Sequence, residues 1–156
     1  MRNWKKGFTL VEMLCSVLVL LLVSMGIATG ARIAVEHYAA SVTNSEAQVL
    51  CQTLTTVVSD ELRYSGTVNW DSSPISFFSQ NYGGENKSFG QNAQGQVTLG
   101  DMNLLPGKSY PYRMQASVSV TGYREERRFR VTVTVMDHSG EELATNTFDV
   151  EKLNGN

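Results

Sequence analysis

Hydrophobic side chains surround the chain's first long segment completely and then narrow to a stripe, and this change predicts one helix in two environments. Residues 13–31 contain no charged side chain, and no proline occurs between positions 8 and 63. Positions 8–29 give about 33 Å of helix at 1.5 Å per residue, which suits a hydrocarbon core of about 30 Å. We therefore predict a helix from residue 8 to about residue 63, with a membrane-spanning first half.

The second half of this helix is one-sided. Apolar residues recur every three or four positions, with polar residues mostly between them, as on a helix that packs on one surface. The predicted stripe consists of Val35, Tyr38, Ala39, Val42, Val49, Leu50, Leu54, Val57, Val58 and Leu62. We expect it to pack on a sheet of the same chain, and the N-terminal half to project, because about 84 Å of helix exceeds the size of the head.

Beyond Gly66, a favourable helix stop, the pattern changes to short extended pieces and loops. Residues 67–110 are rich in Gly, Asn, Gln and Ser, and predict a long irregular connection with apolar pieces at 67–70, 75–78 and 96–99. The aromatic residues of this region are Trp70, Phe77, Phe78, Tyr82 and Phe89. They fit a satellite core, which we favour, or a ligand surface.

Alternation of apolar and polar residues predicts three antiparallel strands near the C-terminus. The residues expected to share a face are Tyr112, Met114, Ala116, Val118 and Val120, then Phe129, Val131, Val133 and Val135, then Ala144, Phe148 and Val150. Turns are predicted at 122–127 and 137–140. The resulting fold class is α+β, a long N-terminal helix packed through its second half on a small antiparallel meander.

Composition and charge narrow the function classes. The chain has 156 residues, 42% of them hydrophobic and 18% charged, so one modest domain is expected beyond the apolar segment. Its formal net charge is -2, and without the basic residues Arg2, Lys5 and Lys6 ten basic and fifteen acidic residues remain, or -5. A mildly acidic head has no electrostatic footprint for nucleic acid, so we expect no direct nucleic-acid binding.

Candidate chemistry is sparse. The sequence contains no nucleophile motif, phosphate-binding glycine loop or metal-ligand spacing, so we expect no enzymatic activity and no cofactor or metal. The acidic pair at 60–61 is expected to be solvated. Cys15 and Cys51 would lie about 54 Å apart on one helix and cannot pair within the chain. Both are expected to be small buried side chains, with an intermolecular bridge as the alternative.

The N-terminal segment allows more than one interpretation. Three cations precede Phe8 and the next is Arg32, so the positive-inside rule predicts a cytoplasmic N-terminus and an exported head. An ordinary signal sequence with small residues at 28–31, or a plain membrane anchor, fits this pattern. Glu12 argues against the signal sequence, because it interrupts the start of the apolar region. A carboxylate in hydrocarbon costs roughly 2.5 to 3.5 kcal/mol, so Glu12 lies near the interface, is protonated or meets a partner charge.

The stretch KKGFTLVE, residues 5–12, resembles the processing site of type IV pilins and pseudopilins. This stretch and the processing site of that family share a basic leader, a glycine, an aromatic residue, Thr-Leu, an aliphatic residue and a glutamate. The resemblance implies that a prepilin peptidase cuts after Gly7 and methylates the amino group of Phe8. It also implies that Glu12 faces the Phe8 amino terminus of a neighbouring subunit, where each charge offsets the other's desolvation cost. The alternative is an interfacial Glu12 that reaches the lipid headgroups.

Gly26 and Gly30 form a GxxxG pattern in the apolar half, and two interpretations remain open. Small residues at this spacing let helices approach closely. Alternatively, two glycines, each about 1 kcal/mol less favourable than alanine, soften the helix. We prefer softening, because many pilins carry a helix-weakening proline near this depth, where this chain has Thr29 and the two glycines instead.

The predicted organisation is a basic leader (1–7), a transmembrane or filament-core half-helix (8–31), an amphipathic half-helix (32–65), and a head (66–156) with a long loop (66–110) and a meander (111–156). By resemblance, we expect a structural subunit of a type IV pilus or of a type II secretion or DNA-uptake pseudopilus. The expected partners are the prepilin peptidase, other subunits, the membrane and, indirectly, an assembly platform and ATPase. The alternative is a secreted or membrane-tethered binding module with an ordinary signal sequence.

Overall fold

The structure is a computed structural model, and it describes residues 8–153. The chain divides into a first unit that ends at Ser41 and a second that begins at Val42. The long helix is α1 (Leu10–Arg63), and the strands that follow are β1 (Val68–Asn69), β2 (Ser76–Ser79), β3 (Gly84–Lys87), β4 (Phe89–Gln91), β5 (Val97–Leu99), β6 (Met102–Asn103), β7 (Gln115–Tyr123), β8 (Arg128–Met136) and β9 (Glu142–Glu151). The leader residues Arg2, Lys5, Lys6 and Gly7 lie outside the described residues.

Helix α1 confirms the prediction of one long N-terminal helix, although it begins two residues later than expected. Thr9 occupies the N-cap position, where its hydroxyl accepts a hydrogen bond from the backbone N–H of Glu12 at 3.2 Å. At the other end, the hydroxyl of Ser65 donates to the carbonyl of Leu62 at 2.8 Å, and the helix stops before Gly66. Every described residue of the first unit is exposed in the single chain.

In the second unit, the buried face of α1 is narrower than the predicted stripe. It consists of Ala47, Leu50, Cys51, Leu54, Val58, Glu61 and Leu62. Val49, which was predicted to lie on the stripe, is 63% exposed because it lies one position, or about 100° around the helix, before Leu50. Val35 and Tyr38 are exposed as well, and they belong to the first unit.

The C-terminal meander is confirmed, with strands in the order β7-β8-β9 and all neighbours antiparallel. The first strand begins at Gln115, three residues later than predicted. The reason is that Tyr112 and Arg113 adopt left-handed φ angles of 50° and 57°, which are incompatible with a strand. The first turn is also shorter than predicted, because Gly122 lies within β7 and residues 124–127 make the connection.

Residues 67–110 are more regular than their composition indicates. They contain two small antiparallel sheets of three strands each, β1-β2-β3 and β4-β5-β6. The three apolar pieces of the sequence correspond to β1, β2 and β5, whereas β3, β4 and β6 carry no alternating pattern. These three short strands are held by pairing with their neighbours.

The core joins the helix to residues from all three sheets. Its largest fully buried side chains are Phe77, Phe129, Leu54, Leu62, Leu99, Met114, Val58, Val97, Val131, Val133, Val135 and Val150. Phe77 packs against Phe89 with ring centroids 5.5 Å apart, and Trp70 stacks on Phe129 at 4.9 Å. The aromatic residues of 67–110 therefore contribute to the main core, except Phe78, which is exposed.

Candidate assembly segment and head surface

Thr9 and Glu12 cap the first turn of α1 reciprocally. The carboxylate oxygen Oε2 of Glu12 accepts hydrogen bonds from the backbone N–H and the hydroxyl of Thr9, both at 2.9 Å. In return, the Thr9 hydroxyl accepts from the Glu12 backbone N–H. This is a capping box, in which two backbone donors that lack helical partners are satisfied. Glu12 thus caps the helix in the single chain, a role that the resemblance at residues 5–12 did not indicate.

The capping box occupies only one oxygen of the carboxylate. Among the described residues, Oε1 of Glu12 has no hydrogen-bond partner, and the residue is exposed. Both donors belong to Thr9, so a chain that begins at Phe8 would keep them. Within residues 8–153, Glu12 is therefore held by Thr9 and keeps one carboxylate oxygen without a hydrogen-bond partner.

The other polar side chains of the apolar segment are satisfied inside the helix. The hydroxyls of Ser16, Ser24 and Thr29 donate to the carbonyl four residues earlier, at 2.7, 2.7 and 2.9 Å. Such bonds hide hydroxyls from hydrocarbon, where an unsatisfied polar group costs several kcal/mol. Helix α1 is long and apolar enough to span a membrane by length and composition.

Gly26 and Gly30 lie in unbroken α-helix. A Cβ added at either position would meet nothing within 4 Å in the single chain. The surface at both glycines is thus open to a neighbouring helix. Close packing and local softening both stay predictions for this pair.

The two cysteines differ in environment. Both are free thiols, as Cys15 is exposed in the apolar segment and Cys51 is buried against β8, its Sγ 3.8 Å from the carbonyl oxygen of Val133. Burial raises the pKa of the Cys51 thiol. The expectation of burial thus fits Cys51, whereas Cys15 is exposed in the single chain because no residue in the described part of the first unit, 8–41, covers it.

Glu61 is a buried acid that the sequence interpretation placed in solvent. Its side chain is 8% exposed, and its two carboxylate oxygens accept hydrogen bonds from the Ser79 hydroxyl at 2.8 Å and the Asn81 amide at 2.6 Å. Burial first, and the nearby Glu61 carboxylate second, raise the pKa of Tyr82. No local signal at positions 60–61 reveals this, because the two donors lie about 20 positions further along the chain.

The arginine-rich turn between β7 and β8 forms a charge-balanced surface. Asp149 on β9 accepts hydrogen bonds from Arg130 at 2.9 and 3.2 Å and from Arg128 at 2.9 Å. Both guanidinium groups also lie over the ring of Tyr123, at 5.3 and 5.8 Å from its centroid. The hydrogen bond from Arg130 holds the pKa of Asp149 below its usual range. Asp149 therefore offsets part of the positive charge of Arg128 and Arg130.

Within residues 8–153, no three His, Cys, Asp or Glu side chains are grouped so that they could hold a metal ion. His37 lies on α1 and His138 in the turn between β8 and β9.

Comparison with protein families matches residues 5–28 to the family described as the prokaryotic N-terminal methylation motif. The match spans the predicted cleavage site, Phe8, Glu12 and most of the apolar segment. Searches of curated proteins and of solved structures gave no match.

Proposed function

Because the chain carries the N-terminal methylation motif that marks type IV pilins and pseudopilins, we propose that it is a structural subunit of a type IV pilus or pseudopilus. The observation that carries the proposal is the motif followed at once by an apolar helix whose described residues are exposed throughout the first unit. Such a surface requires either lipid or the matching helices of other subunits. A structural role accounts for it without any catalytic residue.

The motif and the apolar helix indicate a membrane-anchored, exported protein. In the proposed sequence of events, the N-terminus lies in the cytoplasm and a prepilin peptidase cuts after Gly7 and methylates the amino group of Phe8. The subunit is then withdrawn from the membrane into a filament, with an assembly platform and ATPase acting indirectly. Contacts between unlike surfaces of identical subunits that do not close into a ring extend as a helical fibre.

In this proposal, Glu12 aligns each subunit with its neighbour in the filament. Its Oε2 is held by Thr9, so Oε1 is available to the Phe8 ammonium of a neighbouring subunit. Burying either charge alone in hydrocarbon has a large desolvation cost, which the attraction within the pair offsets. A misplaced subunit would lose the pair and therefore this offset. The capping box fixes the direction of the carboxylate before the neighbour arrives, which reduces the ordering cost of pairing.

The proposal is tested by the N-terminus of the mature protein. The full chain is produced together with a prepilin peptidase, purified from membranes and analysed by intact-mass and peptide mass spectrometry. We expect a chain that begins with N-methyl-phenylalanine at Phe8. The matched control is a bulky replacement, Gly7→Leu, which should leave the leader attached because the peptidase no longer accepts the site.

A start near Ala31 would contradict the proposal. It would remove Glu12 together with the apolar segment, and would support a secreted binding module with an ordinary signal sequence instead. A chain that keeps its leader in the presence of an active peptidase would also count against it.

A further inference from the structure

A pocket of about 430 Å³, lined by both apolar and polar groups, lies on the head where four parts of the chain meet. They are the turn between β4 and β5, the two short 3-10 helices at Gly107–Ser109 and Pro111–Arg113, the start of β7, and the turn between β8 and β9. Its polar lining consists of Gln94, Gln96, Tyr110, Arg113, Gln115 and His138. Among the described residues, none of those that line it is acidic. The lining thus combines the guanidinium of Arg113 with side-chain amides and contains no carboxylate.

The amide of Gln96 is oriented by its neighbours. Its Oε1 accepts hydrogen bonds from the amides of Asn92 at 3.1 Å and Asn103 at 3.2 Å. This leaves Nε2 as a donor that has no acceptor among the described residues. A Cβ placed on Gly107 would lie 3.0 Å from this nitrogen, so the amide donor lies beside a pocket-lining glycine. The pocket therefore contains a fixed donor.

Arg113, an exposed residue, lines the pocket from an unusual backbone conformation. Tyr112 and Arg113 are consecutive non-glycine residues with left-handed φ angles of 50° and 57°. Each such residue costs on the order of 1 to 3 kcal/mol, and strain of this kind clusters at ligand-binding sites. Arg128 and Arg130 are paired with Asp149, whereas Arg113 makes no ion pair within residues 8–153. Arg113 is thus an exposed cation at the pocket that has no counterion among the described residues.

The remaining walls are fixed by hydrogen bonds. The hydroxyl of Tyr110, a residue 7% exposed, accepts from the backbone N–H of Val97 at 3.0 Å. The turn that carries His138 is closed by Asp137, whose Oδ1 accepts from the backbone N–H groups of Ser139 and Glu141 at 2.7 and 2.9 Å. The Asp137 carboxylate is therefore already engaged beside the pocket. Two walls of the pocket, at Tyr110 and at the turn that carries His138, are thus fixed without a ligand, as is common in ligand pockets.

We propose that this pocket binds the carboxylate of an acidic sugar such as a uronic acid. The guanidinium of Arg113 has the planar donor geometry that matches a carboxylate. The amides of Gln94, Gln96 and Gln115 present donors and acceptors suited to sugar hydroxyls, which a simple anion would not require. The volume lies within the range of about 300 to 1,000 Å³ typical of small-ligand sites. The inference concerns the second unit and is independent of assembly through α1.

The test uses the full chain in detergent micelles and isothermal titration calorimetry with glucuronate and galacturonate. We expect at least one of them to bind. The methyl ester of glucuronate, which lacks the negative charge, and acetate, which lacks the hydroxyls, should each bind at least tenfold more weakly. Absence of binding by both uronates overturns the proposal. Equal binding of the methyl ester overturns the role of the carboxylate, and equal binding of acetate overturns the assignment to a sugar.

Variants test the residues themselves. Arg113→Gln should weaken uronate binding at least tenfold, and Arg124→Gln is the matched control because Arg124 is an exposed head arginine away from the pocket. If Arg113→Gln does not fold by circular dichroism, Gln94→Ala in the exposed turn provides the second test, with an expected loss of at least threefold. Wild-type affinity in a folded Arg113→Gln protein, or in Gln94→Ala, overturns the proposal.

Discussion

The carboxylate of Glu61 and the hydroxyl of Ser79 form a hydrogen bond of 2.8 Å that joins the last turns of helix α1 to strand β2. Asn81 completes the arrangement from just beyond the strand, at 2.6 Å from the other carboxylate oxygen. The Ser79 oxygen in turn accepts a hydrogen bond from the backbone N–H of Tyr82 at 3.1 Å. A buried acid therefore connects the helix to the loop-rich half of the head.

Removal of this acid should destabilise the head. Glu61→Ala leaves the buried Ser79 hydroxyl without its acceptor and also removes the partner of the exposed Asn81 amide, so we expect a loss of about 1 to 3 kcal/mol in the free energy of unfolding. Glu61→Gln keeps a neutral acceptor and should lose about half as much. The measurement is urea unfolding of the full chain in detergent micelles, followed by tryptophan fluorescence.

The control for this prediction is Asp60→Ala, since Asp60 is the exposed neighbour of Glu61. Its effect should stay within about 0.5 kcal/mol, as for ordinary surface substitutions. If Glu61→Ala and Asp60→Ala unfold at the same urea concentration, the hydrogen bonds of Glu61 do not stabilise the head.

Glu12 should be required for assembly but not for membrane insertion. Glu12→Gln retains an oxygen for the Thr9 capping box and removes the charge, so we expect normal membrane fractionation and strongly reduced incorporation into filaments. Incorporation is measured by immunoblotting of sheared filaments from cells that express the complete assembly system.

Glu36→Gln is the matched control, because Glu36 is an exposed acid on the same helix that pairs with Arg32 at 2.9 Å. An exposed pair of this kind contributes little, so this variant should assemble normally. Normal incorporation of Glu12→Gln would refute the registration role and leave Glu12 as a helix-capping residue.

The ion pairs of Asp149 should make the stability of the head depend on pH. The pKa of Asp149 is lowered in the folded protein, so its contribution is present above the unfolded value of about 3.9 and disappears as pH falls through the lower folded value. We expect Asp149→Asn to lower the Tm at pH 7. The difference from wild type should shrink as the pH falls below about 4.

Thermal unfolding at several pH values and two salt concentrations measures this effect. High salt should reduce the difference at pH 7, because exposed charges are screened. Glu151→Gln, an exposed acid on the same strand, is the control and should show a smaller change. A Tm difference for Asp149→Asn that persists unchanged at pH 2 would show that the ion pairs are not its origin.

Gly122 should not tolerate a side chain. A Cβ at this position would lie 2.7 Å from the side chain of Ile75 and 2.8 Å from that of Trp70. Because Trp70 stacks on Phe129, Gly122→Val should displace the indole and destabilise the head by about 1 to 3 kcal/mol. Urea unfolding and a shift of the tryptophan emission, measured in a Trp4→Phe background so that Trp70 alone reports, test this expectation.

Thr121→Ala, at the exposed neighbouring position of β7, should leave both readouts near wild type. Unchanged stability and emission in Gly122→Val would mean that Trp70 does not pack over this glycine as described.

Helix α1, its apolar first half and the order of the last three strands were evident from the sequence. Each depends on a local period: apolar residues all around in positions 13–31, a spacing of three to four in the second half, and alternation in β8, where Phe129, Val131 and Val133 are all buried. The motif at residues 5–12 is local as well. A period is a property of neighbouring residues, so the sequence alone determined these elements and the family signature.

The tertiary structure decided the rest, because the groups involved are distant in sequence. Glu61 is buried since Ser79 and Asn81 return to the end of the helix, and β4 and β6 exist because β5 lies between them and pairs with both. Arg113 and His138 line one pocket although 25 positions separate them. Pairings of this kind depend on how the segments pack together, and local patterns of hydrophobicity contain no information about them.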